Sequence, residues 1–222
     1  MTYNPDIHHR RSIRLKGYDY SQAGLYFVTI CTHYSLPLFG EIIKGEMILN
    51  AAGMMIQNQW REINQRFLSV VLHESIVMPN HFHAIIELVG ANPCGCPASD
   101  NETNEMSEIF ADKTAEFVDK RAEFIDKRAG TSPAPTIGDI VGAFKSLTTN
   151  EYIKNVRQNN WQSFEKRIWL RNYHEHIIRD ENSYVKISNY VQTNPQKWQE
   201  DCFFEDVKVA AMLEFRKLAL CV

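Results

Sequence analysis

Two adjacent runs in the middle of the chain constrain its fold more than any other feature. Residues 70–78 and 81–89 (HFHAIIELV in the second) are rich in the β-branched, aromatic and other apolar residues that favour strands, and only Pro79-Asn80 separates them. An earlier run at residues 25–32 (LYFVTICT) has the same character. We therefore expect a sheet whose strands are largely buried.

A short hairpin and a helix are predicted between these strands. Residues 38–43 and 46–49 flank Lys44-Gly45, a dipeptide suited to a tight turn. Asn50 is a good N-cap for the helix that follows. Apolar residues then recur at helical spacing, at Ile56, Trp60, Ile63 and Phe67.

The second half of the chain is predicted to hold further helices and one strand. Thr136 can cap a helix that runs to about residue 156 and carries an apolar face. A strand is expected around residues 173–178, with a helix after it. A last helix is expected at roughly residues 206–218.

The order of these elements is strand, hairpin, helix, strand, strand, helix, strand, helix. Strands that are interleaved with helices and joined in part by hairpins indicate an α+β fold of the split βαβ kind. Such a fold has one mostly antiparallel sheet with helices on one face. A length of 222 residues fits a single domain with additions.

The segment at about residues 92–133 differs from the rest and is predicted to be a variable insertion. It contains two consecutive seven-residue repeats, AEFVDKR at 115–121 and AEFIDKR at 122–128. Two heptads are too few for a coiled coil, so we interpret them as a local duplication in an exposed segment. A helix that binds a partner is the alternative.

Charge is distributed unevenly along the chain. The net charge is −3, but residues 99–128 hold nine acidic and five basic side chains and carry −4, which leaves +1 for the rest. Four cations lie near the start, at Arg10, Arg11, Arg14 and Lys16. A basic arm on a near-neutral body is compatible with contact to nucleic-acid phosphates.

The sequence shows no sign of export or membrane insertion. No run approaches about 18 consecutive apolar residues, and the first residues lack the apolar core of a signal peptide. The five cysteines are odd in number and irregularly spaced, which is not typical of a disulfide framework. We therefore expect a cytoplasmic protein that does not bind membranes.

His81 and His83 are the first candidate functional pair. Side chains alternate between the two faces of a strand, so both imidazoles lie on one face and Phe82 lies on the other. Two imidazoles on one strand face suit a divalent metal ion. Two ordinary surface or hydrogen-bonded histidines are the alternative. The position directly after Pro79-Asn80, where the end of a sheet can present a site, favours the metal.

Tyr190 and Asn194 form the second candidate pair. Asp180 or Asn182 can cap their helix, which must end near Asn194 because Pro195 disfavours helical geometry in the residue before it. Side chains four residues apart share one helix face, and helical spacing puts Tyr190 at the edge of the apolar stripe. A tyrosine that flanks the core and an asparagine that terminates the helix are the alternative.

Three further residues are weaker candidates. His174 and His176 share one face of the predicted strand at 173–178 and form a rival metal or acid–base site, unless they are ordinary imidazoles on a polar face. Lys145 can contact a phosphate, although a single lysine on a helix is more often only solvated. The chain has no Walker-type glycine loop.

The two candidate pairs lie in segments that resemble a known family. Residues 77–88 (VMPNHFHAIIEL) resemble the HUH motif, histidine–hydrophobic–histidine, of single-tyrosine transposases from insertion sequences. Residues 188–198 (SNYVQTNPQKW) resemble the catalytic helix of the same enzymes. Residues 10–20 (RRSIRLKGYDY) and 169–180 are similar to the branch called REP-associated tyrosine transposases. The resemblance covers nearly the whole chain except about residues 92–133.

The resemblance implies a ferredoxin-like fold and a set of site residues. Tyr190 matches the nucleophile, and His81 and His83 match the metal-binding histidines. Asn194 matches the position of the third protein ligand. The implied cofactor is Mg²⁺ or Mn²⁺. Relatives act as monomers or as dimers, so a homodimer is compatible with the resemblance, and the insertion at about 92–133 leaves this point open.

The implied function is nicking and strand transfer on single-stranded DNA that contains a hairpin. The tyrosine would form a 5′-phosphotyrosine and leave a free 3′-OH, so that rejoining needs no ATP. Stacking aromatic side chains and the basic residues would hold the DNA, namely Arg10, Arg11, Arg14, Lys16 and Lys145. A catalytically inactive or domesticated single-strand binder is one alternative. A metal-dependent hydrolase that uses water is the other.

Overall fold

A computed structural model of the protein describes residues 17–89 and 135–204. These residues contain six strands and three α-helices, which are β1 (Gly24–Cys31), β2 (Gly40–Ile43), β3 (Glu46–Leu49), α1 (Ala51–Arg66), β4 (Val70–Val77), β5 (His81–Leu88), α2 (Ile137–Gln158), β6 (His174–Ile178) and α3 (Glu181–Thr193). Two 3₁₀ segments accompany them, at His33–Ser35 after β1 and at Asn194–Glu200 after α3.

The strands and helices predicted within these ranges are confirmed, with ends shifted by at most two residues. The basic arm at 10–16, the insertion at about 92–133 with its duplicated heptads, and the helix expected at 206–218 lie outside the described residues. The single-domain organisation of the whole chain stays a prediction.

Local sequence signals explain where several elements begin. The Asn50 side chain accepts a hydrogen bond from the Gly53 N–H at the start of α1. Thr136 and Asp139 form a capping box at the start of α2. Asp180, not Asn182, caps α3 by accepting from the Ser183 N–H. In the turn between β2 and β3, Lys44 has a φ of 53° and Gly45 a φ of 80°, as the predicted tight hairpin requires.

The main sheet has four strands in the order β4-β5-β1-β6, and every neighbouring pair is antiparallel. Apart from the small β2-β3 hairpin, the chain follows the order strand, helix, strand, strand, helix, strand. With β1 and β5 at the centre, this is the ferredoxin-like split βαβ arrangement. The α+β class expected from the sequence is therefore confirmed.

Helices α1 and α2 pack on one face of this sheet and form the main core with it. Trp60 of α1 and Phe144 of α2 lie 5.1 Å apart between ring centroids, and Phe82 of β5 lies 4.9 and 5.1 Å from the two. All three side chains are almost completely buried. The expectation of helices on one face holds for α1 and α2.

Helix α3 packs on the opposite face, against a small apolar cluster. Leu25, Ile85 and Ile178 form this cluster, and Tyr184 and Ile187 of α3 pack against it. The sheet is therefore covered on both sides, and the face under α3 is the one to which His81 and His83 belong. None of the helices in the described part of the chain is long and apolar enough to cross a membrane.

Candidate metal and nucleophile site

Strand β5 places two imidazoles side by side under α3. His81 pairs with Cys31 and His83 pairs with Thr29 of the neighbouring β1. The side chains of His81 and His83 are 0% and 2% exposed, and their ring centroids lie 4.5 Å apart. The alternation of β5 predicted this shared face, but not that both rings would be buried.

Hydrogen bonds orient both rings through their Nδ1 atoms. His81 Nδ1 lies 2.8 Å from Asn80 Oδ1, and Asn80 Nδ2 donates to the backbone oxygen of Phe203 at 3.0 Å, which fixes the orientation of the amide. His81 Nδ1 is therefore the donor. His83 Nδ1 lies 2.8 Å from Thr29 Oγ1. Because Nδ1 makes these contacts in both rings, the Nε2 atom of each ring faces the site. This arrangement is typical of metal-binding histidines.

Burial keeps both imidazoles neutral. It lowers the pKa of His81 from 6.5 to about 3. Burial, followed by the proximity of His81, also lowers the pKa of His83 well below its usual value, against a smaller opposing effect of Asp201. Only the neutral ring has a lone pair for a metal, so the two histidines are ready to bind one at neutral pH.

Helix α3 brings Tyr190 to the same point. Its hydroxyl lies 3.4 Å from His83 Nε2, and its ring meets Phe27 edge-on at a centroid distance of 6.2 Å. Phe27 in turn stacks on His83 at 5.2 Å. Tyr190 is 41% exposed. Its hydroxyl is thus anchored beside the histidines while one side of the ring faces solvent.

Asn194 and Asp201 complete the site. Helix α3 ends at Thr193, one residue before Asn194, whose side chain is only 2% exposed. Asn194 Nδ2 donates to Asp201 Oδ2 at 2.8 Å, and the Tyr190 hydroxyl donates to the same oxygen at 3.2 Å. Asp201 Oδ1 accepts from the Phe203 N–H at 2.8 Å.

The Tyr190 hydroxyl is held as a neutral phenol in this arrangement. Burial, then the charge of Asp201 and the hydrogen bond to it, raise the pKa of Tyr190 above its usual value of 10.0. A smaller contribution from Asn194 lowers it. A nucleophilic role therefore requires a change in the surroundings of the phenol, which a nearby cation would supply.

The donor atoms fit a divalent metal ion. His81, His83 and Asp201 offer ligand atoms that all lie within 4.8 Å of one another. His81 Nε2 and Asn194 Oδ1 are buried and have no hydrogen-bond partner among the described residues. Leaving such an atom without a partner costs about 1–3 kcal/mol, and ligation to a metal removes that cost. Two imidazoles with amide and carboxylate oxygens suit Mn²⁺ at least as well as Mg²⁺.

Asp201 is the member of this group that the sequence did not reveal. It lies seven residues beyond Asn194, outside both motifs, and follows a 3₁₀ segment that ends at Glu200. Helical or strand periodicity says nothing about a side chain at such a position. A carboxylate shortly after the Asn-Pro pair was the available signal, and it is too common to single out a residue.

The other candidate residues do not join this site. His174 and His176 are exposed on the face of the sheet that carries His83, because Thr29 pairs with both His83 and His174. Among the described residues, His81, His83 and Asp201 form the one group of three or more His, Cys, Asp or Glu side chains that could hold a metal ion. The rival metal site is therefore not supported.

Lys145 has a structural role in the loop before β6. Its ammonium donates to the backbone oxygens of Leu170, Arg171 and Asn172 at 3.0, 3.4 and 3.1 Å, and lies 5.3 Å from the centroid of the Tyr173 ring. Burial lowers the pKa of Lys145 to about 8. Contact with a DNA phosphate stays a prediction, as it does for Arg10, Arg11, Arg14 and Lys16.

Comparisons with known proteins yield one sequence relative and two solved structures of note. No known family profile matches the chain. Over 206 residues, 92% of this chain and 98% of the relative, it is 39% identical to a Haemophilus influenzae protein described as uncharacterized.

The two solved structures to which the chain is similar are both described as transposases. One is a REP-associated tyrosine transposase bound to a REP hairpin, with a TM-score of 0.41, 16% identity and coverage of 83% of this chain and 74% of that one. The other is a candidate transposase from Deinococcus radiodurans R1, with a TM-score of 0.36, 14% identity and coverage of 82% and 96%.

Proposed function

We propose that this chain, which belongs to the same family as the uncharacterized Haemophilus influenzae protein, is a metal-dependent endonuclease and strand transferase. Its proposed substrate is single-stranded DNA. Tyr190 is the nucleophile in this proposal. His81, His83 and Asn194 hold the metal ion. The proposed class is the HUH tyrosine transposases, which the motifs of the sequence resemble.

One observation carries this proposal. The hydroxyl of Tyr190, a residue that is 41% exposed, lies 3.4 Å from Nε2 of the buried His83. The Nε2 atom of the neighbouring His81 is buried and has no hydrogen-bond partner among the described residues. A hydroxyl that can act as a nucleophile and two imidazoles that can bind a metal are therefore close together, which supports the proposal. A structural tyrosine at the edge of a core does not require buried imidazoles beside it.

The metal would supply a Lewis acid that binds the scissile phosphate and stabilises the charge that develops on it. The protein's own groups have separate tasks. Asn80 and Thr29 hold the two imidazoles in register through their Nδ1 atoms. Phe27 supports the rings of both His83 and Tyr190, which keeps the phenol above the site.

The proposed reaction is a transesterification. The Tyr190 oxygen forms a bond to phosphorus, and the bond from phosphorus to the 3′-oxygen of the neighbouring nucleotide breaks. The phenol proton leaves towards Asp201 Oδ2, which accepts from the Tyr190 hydroxyl at 3.2 Å. The 3′-oxygen takes up a proton and is released. Attack of another 3′-OH on the phosphotyrosine reverses these steps, so the phosphodiester is conserved without ATP.

The substrate we propose is single-stranded DNA with a hairpin, by virtue of the resemblance of residues 10–20 and 169–180 to the REP-associated branch. A cytoplasmic location and DNA contacts from the basic residues named above belong to the same proposal. A homodimer is compatible with it, as is a monomer.

The test is a search for a covalent protein–DNA adduct. Purified protein, Mn²⁺ or Mg²⁺ and labelled single-stranded DNA from the flanks of its own gene are combined and separated on a denaturing gel. We expect a metal-dependent adduct that disappears in Tyr190→Phe. Tyr184→Phe is the matched control, because Tyr184 lies on the same helix and its hydroxyl contacts Glu74 instead of the site.

The other outcomes identify the alternatives. Cleavage without an adduct would indicate a hydrolase that uses water, and the proposal would be abandoned. Binding to several flanking oligonucleotides without cleavage would indicate a catalytically inactive or domesticated single-strand binder.

A further inference from the structure

Asp201 contacts the nucleophile and a proposed metal ligand at the same time, although it belongs to neither motif. Its Oδ2 atom accepts from the Tyr190 hydroxyl at 3.2 Å and from Asn194 Nδ2 at 2.8 Å. Its Oδ1 atom accepts from the Phe203 N–H at 2.8 Å, which holds the carboxylate in place at the end of the 3₁₀ segment. The carboxylate is therefore oriented by three hydrogen bonds towards one point.

That point is the metal site. The ligand atoms that Asp201, His81 and His83 offer lie within 4.8 Å of one another. Two ligands held at about 2.1 Å from one ion are about 3.0 Å apart when they are adjacent and about 4.2 Å apart when they are opposite, so the three donor atoms need to approach one another by at most about 1.8 Å. Side-chain rotations allow movements of that size.

Charge gives a reason for a carboxylate at this position. An imidazole that binds a metal does so in its neutral form, and Asn194 offers a neutral amide oxygen. A buried divalent ion with only neutral protein ligands would have no negative partner from the protein. Mg²⁺ and Mn²⁺ also prefer oxygen ligands, and carboxylates above all.

We propose that Asp201 is a fourth protein ligand of the metal, and that its Oδ2 atom is shared between the ion and the Tyr190 hydroxyl. This inference rests on the proposed function, because it concerns the same metal site. It adds a residue that lies outside both motifs, and it makes metal binding and the position of the nucleophile interdependent through one oxygen atom.

The sharing has a direct consequence for Tyr190. An ion that draws on Asp201 Oδ2 weakens the hydrogen bond that this oxygen accepts from the phenol. Asp201 is then a positioning residue for the nucleophile as well as a ligand, because it holds the phenol until the ion competes for the same oxygen. Removal of the phenol hydroxyl should not weaken metal binding.

The experiment measures Mn²⁺ affinity by calorimetry in the full-length protein without DNA. Asp201→Asn keeps an oxygen that can accept from the Phe203 N–H but removes the charge. We expect it to weaken Mn²⁺ binding by about tenfold or more, and the thermal unfolding temperature without metal to stay near that of the wild type. Glu200→Gln, a change of the neighbouring exposed carboxylate, should bind Mn²⁺ as the wild type does. Tyr190→Phe should bind it at least as tightly.

Two further outcomes separate this inference from the proposed function. In one outcome, His81→Ala loses Mn²⁺ binding while Asp201→Asn binds Mn²⁺ as the wild type does. Asp201 then only stabilises the end of the 3₁₀ segment, so the inference is overturned while the proposed function stands. If His81→Ala also binds Mn²⁺ as the wild type does, the metal site of the proposed function falls, and the inference falls with it. Weaker binding in Tyr190→Phe would contradict the shared oxygen.

Discussion

The two faces of the four-stranded sheet are built from the same strands but differ in what they bury. Towards α1 and α2, β5 directs Phe82, Ala84 and Ile86 into the main core. Towards α3 it directs His81 and His83, and the apolar cluster on that side has three buried members among the described residues. One face is a continuous hydrophobic core, and the other combines a small core with a polar site.

Buried polar groups also behave differently on the two faces. On the core face, the Trp169 indole N–H donates to Thr148 Oγ1 at 2.9 Å, so both groups are satisfied within the protein. Trp60 Nε1 has no partner among the described residues, but it is an N–H donor between aromatic rings and cannot ligate a cation. On the α3 face, the atoms without a partner are lone-pair acceptors of His81 and Asn194.

Stability and chemistry are therefore divided between the two faces of the sheet. The core face can supply most of the free energy of folding because it buries large apolar side chains. The α3 face can tolerate buried, unsatisfied acceptors because the other face supplies the stability. Substitutions on adjacent residues of β5 should therefore affect different properties, and four predictions follow from this division, in order of decreasing effect.

Phe82→Ala should lower the free energy of unfolding by about 3–5 kcal/mol. Phe82 is 1% exposed and packs between the rings of Trp60 and Phe144, so its loss opens a cavity in the core. Urea denaturation measures the change. A loss below about 1 kcal/mol would mean that the core face is not the main source of stability.

His83→Gln should affect activity more than stability, in contrast to Phe82→Ala. We expect adduct formation to fall by at least about 100-fold, equivalent to about 2.7 kcal/mol, because the ion loses a ligand. The free energy of unfolding of the metal-free protein should fall by about 1–3 kcal/mol, less than in Phe82→Ala, since the buried Thr29 Oγ1 loses its imidazole partner but no large apolar side chain is removed. The gel assay and urea denaturation are run on the same preparation. A stability loss as large as that of Phe82→Ala would contradict the division between the faces.

Thr148→Val should lower the free energy of unfolding by about 1–3 kcal/mol, because the buried Trp169 N–H loses its acceptor. Thr149→Val is the matched control on the next residue of α2, where the side chain is only half-buried, and a change within about 0.5 kcal/mol is expected there. Equal effects of the two substitutions would show that the hydrogen bond to Trp169 is not the cause.

Acid should destabilise the metal-free protein through the α3 face. The pKa of His81 is about 3 in the folded chain and 6.5 as a free side chain. Between pH 3 and pH 6.5 the His81 side chain is therefore protonated in the unfolded chain and neutral in the folded one. Stability therefore falls as the pH falls below about 6.5, by about 1–2 kcal/mol from this residue between pH 7.5 and pH 5. His81→Gln should remove that part of the pH dependence, measured by urea denaturation at both pH values with chelator present.

Much of this architecture could be predicted because it depends on local physics. The alternation of β5 placed His81 and His83 on one face without any knowledge of the neighbouring strands. Lys44-Gly45 and the caps at Asn50 and Thr136 are satisfied within four residues of chain. Such interactions need no tertiary contact, so a sequence pattern is sufficient to find them.

The remaining features depend on contacts between distant segments. The sequence of α3 does not predict that this helix covers the face opposite α1 and α2, because its apolar stripe could pack on either face of the sheet. The packing of Tyr184 and Ile187 on Leu25, Ile85 and Ile178 decides this. Lys145 was a weak candidate for a phosphate contact in the sequence, and that contact stays a prediction. Its hydrogen bonds to three backbone oxygens of the loop before β6 could not be predicted, because that loop is distant in the sequence.

The strands, the helices, the paired histidines and the tyrosine–asparagine helix could all be predicted, because each depends on a periodicity or a cap only a few residues long. The meeting of the two pairs, the burial that keeps His81 and His83 neutral, and the contact of Asp201 with Tyr190 and Asn194 depend on the folded chain. Desolvation and proximity arise only when β1, β5, α3 and the segment after α3 pack together, so no single segment of the sequence contains that information.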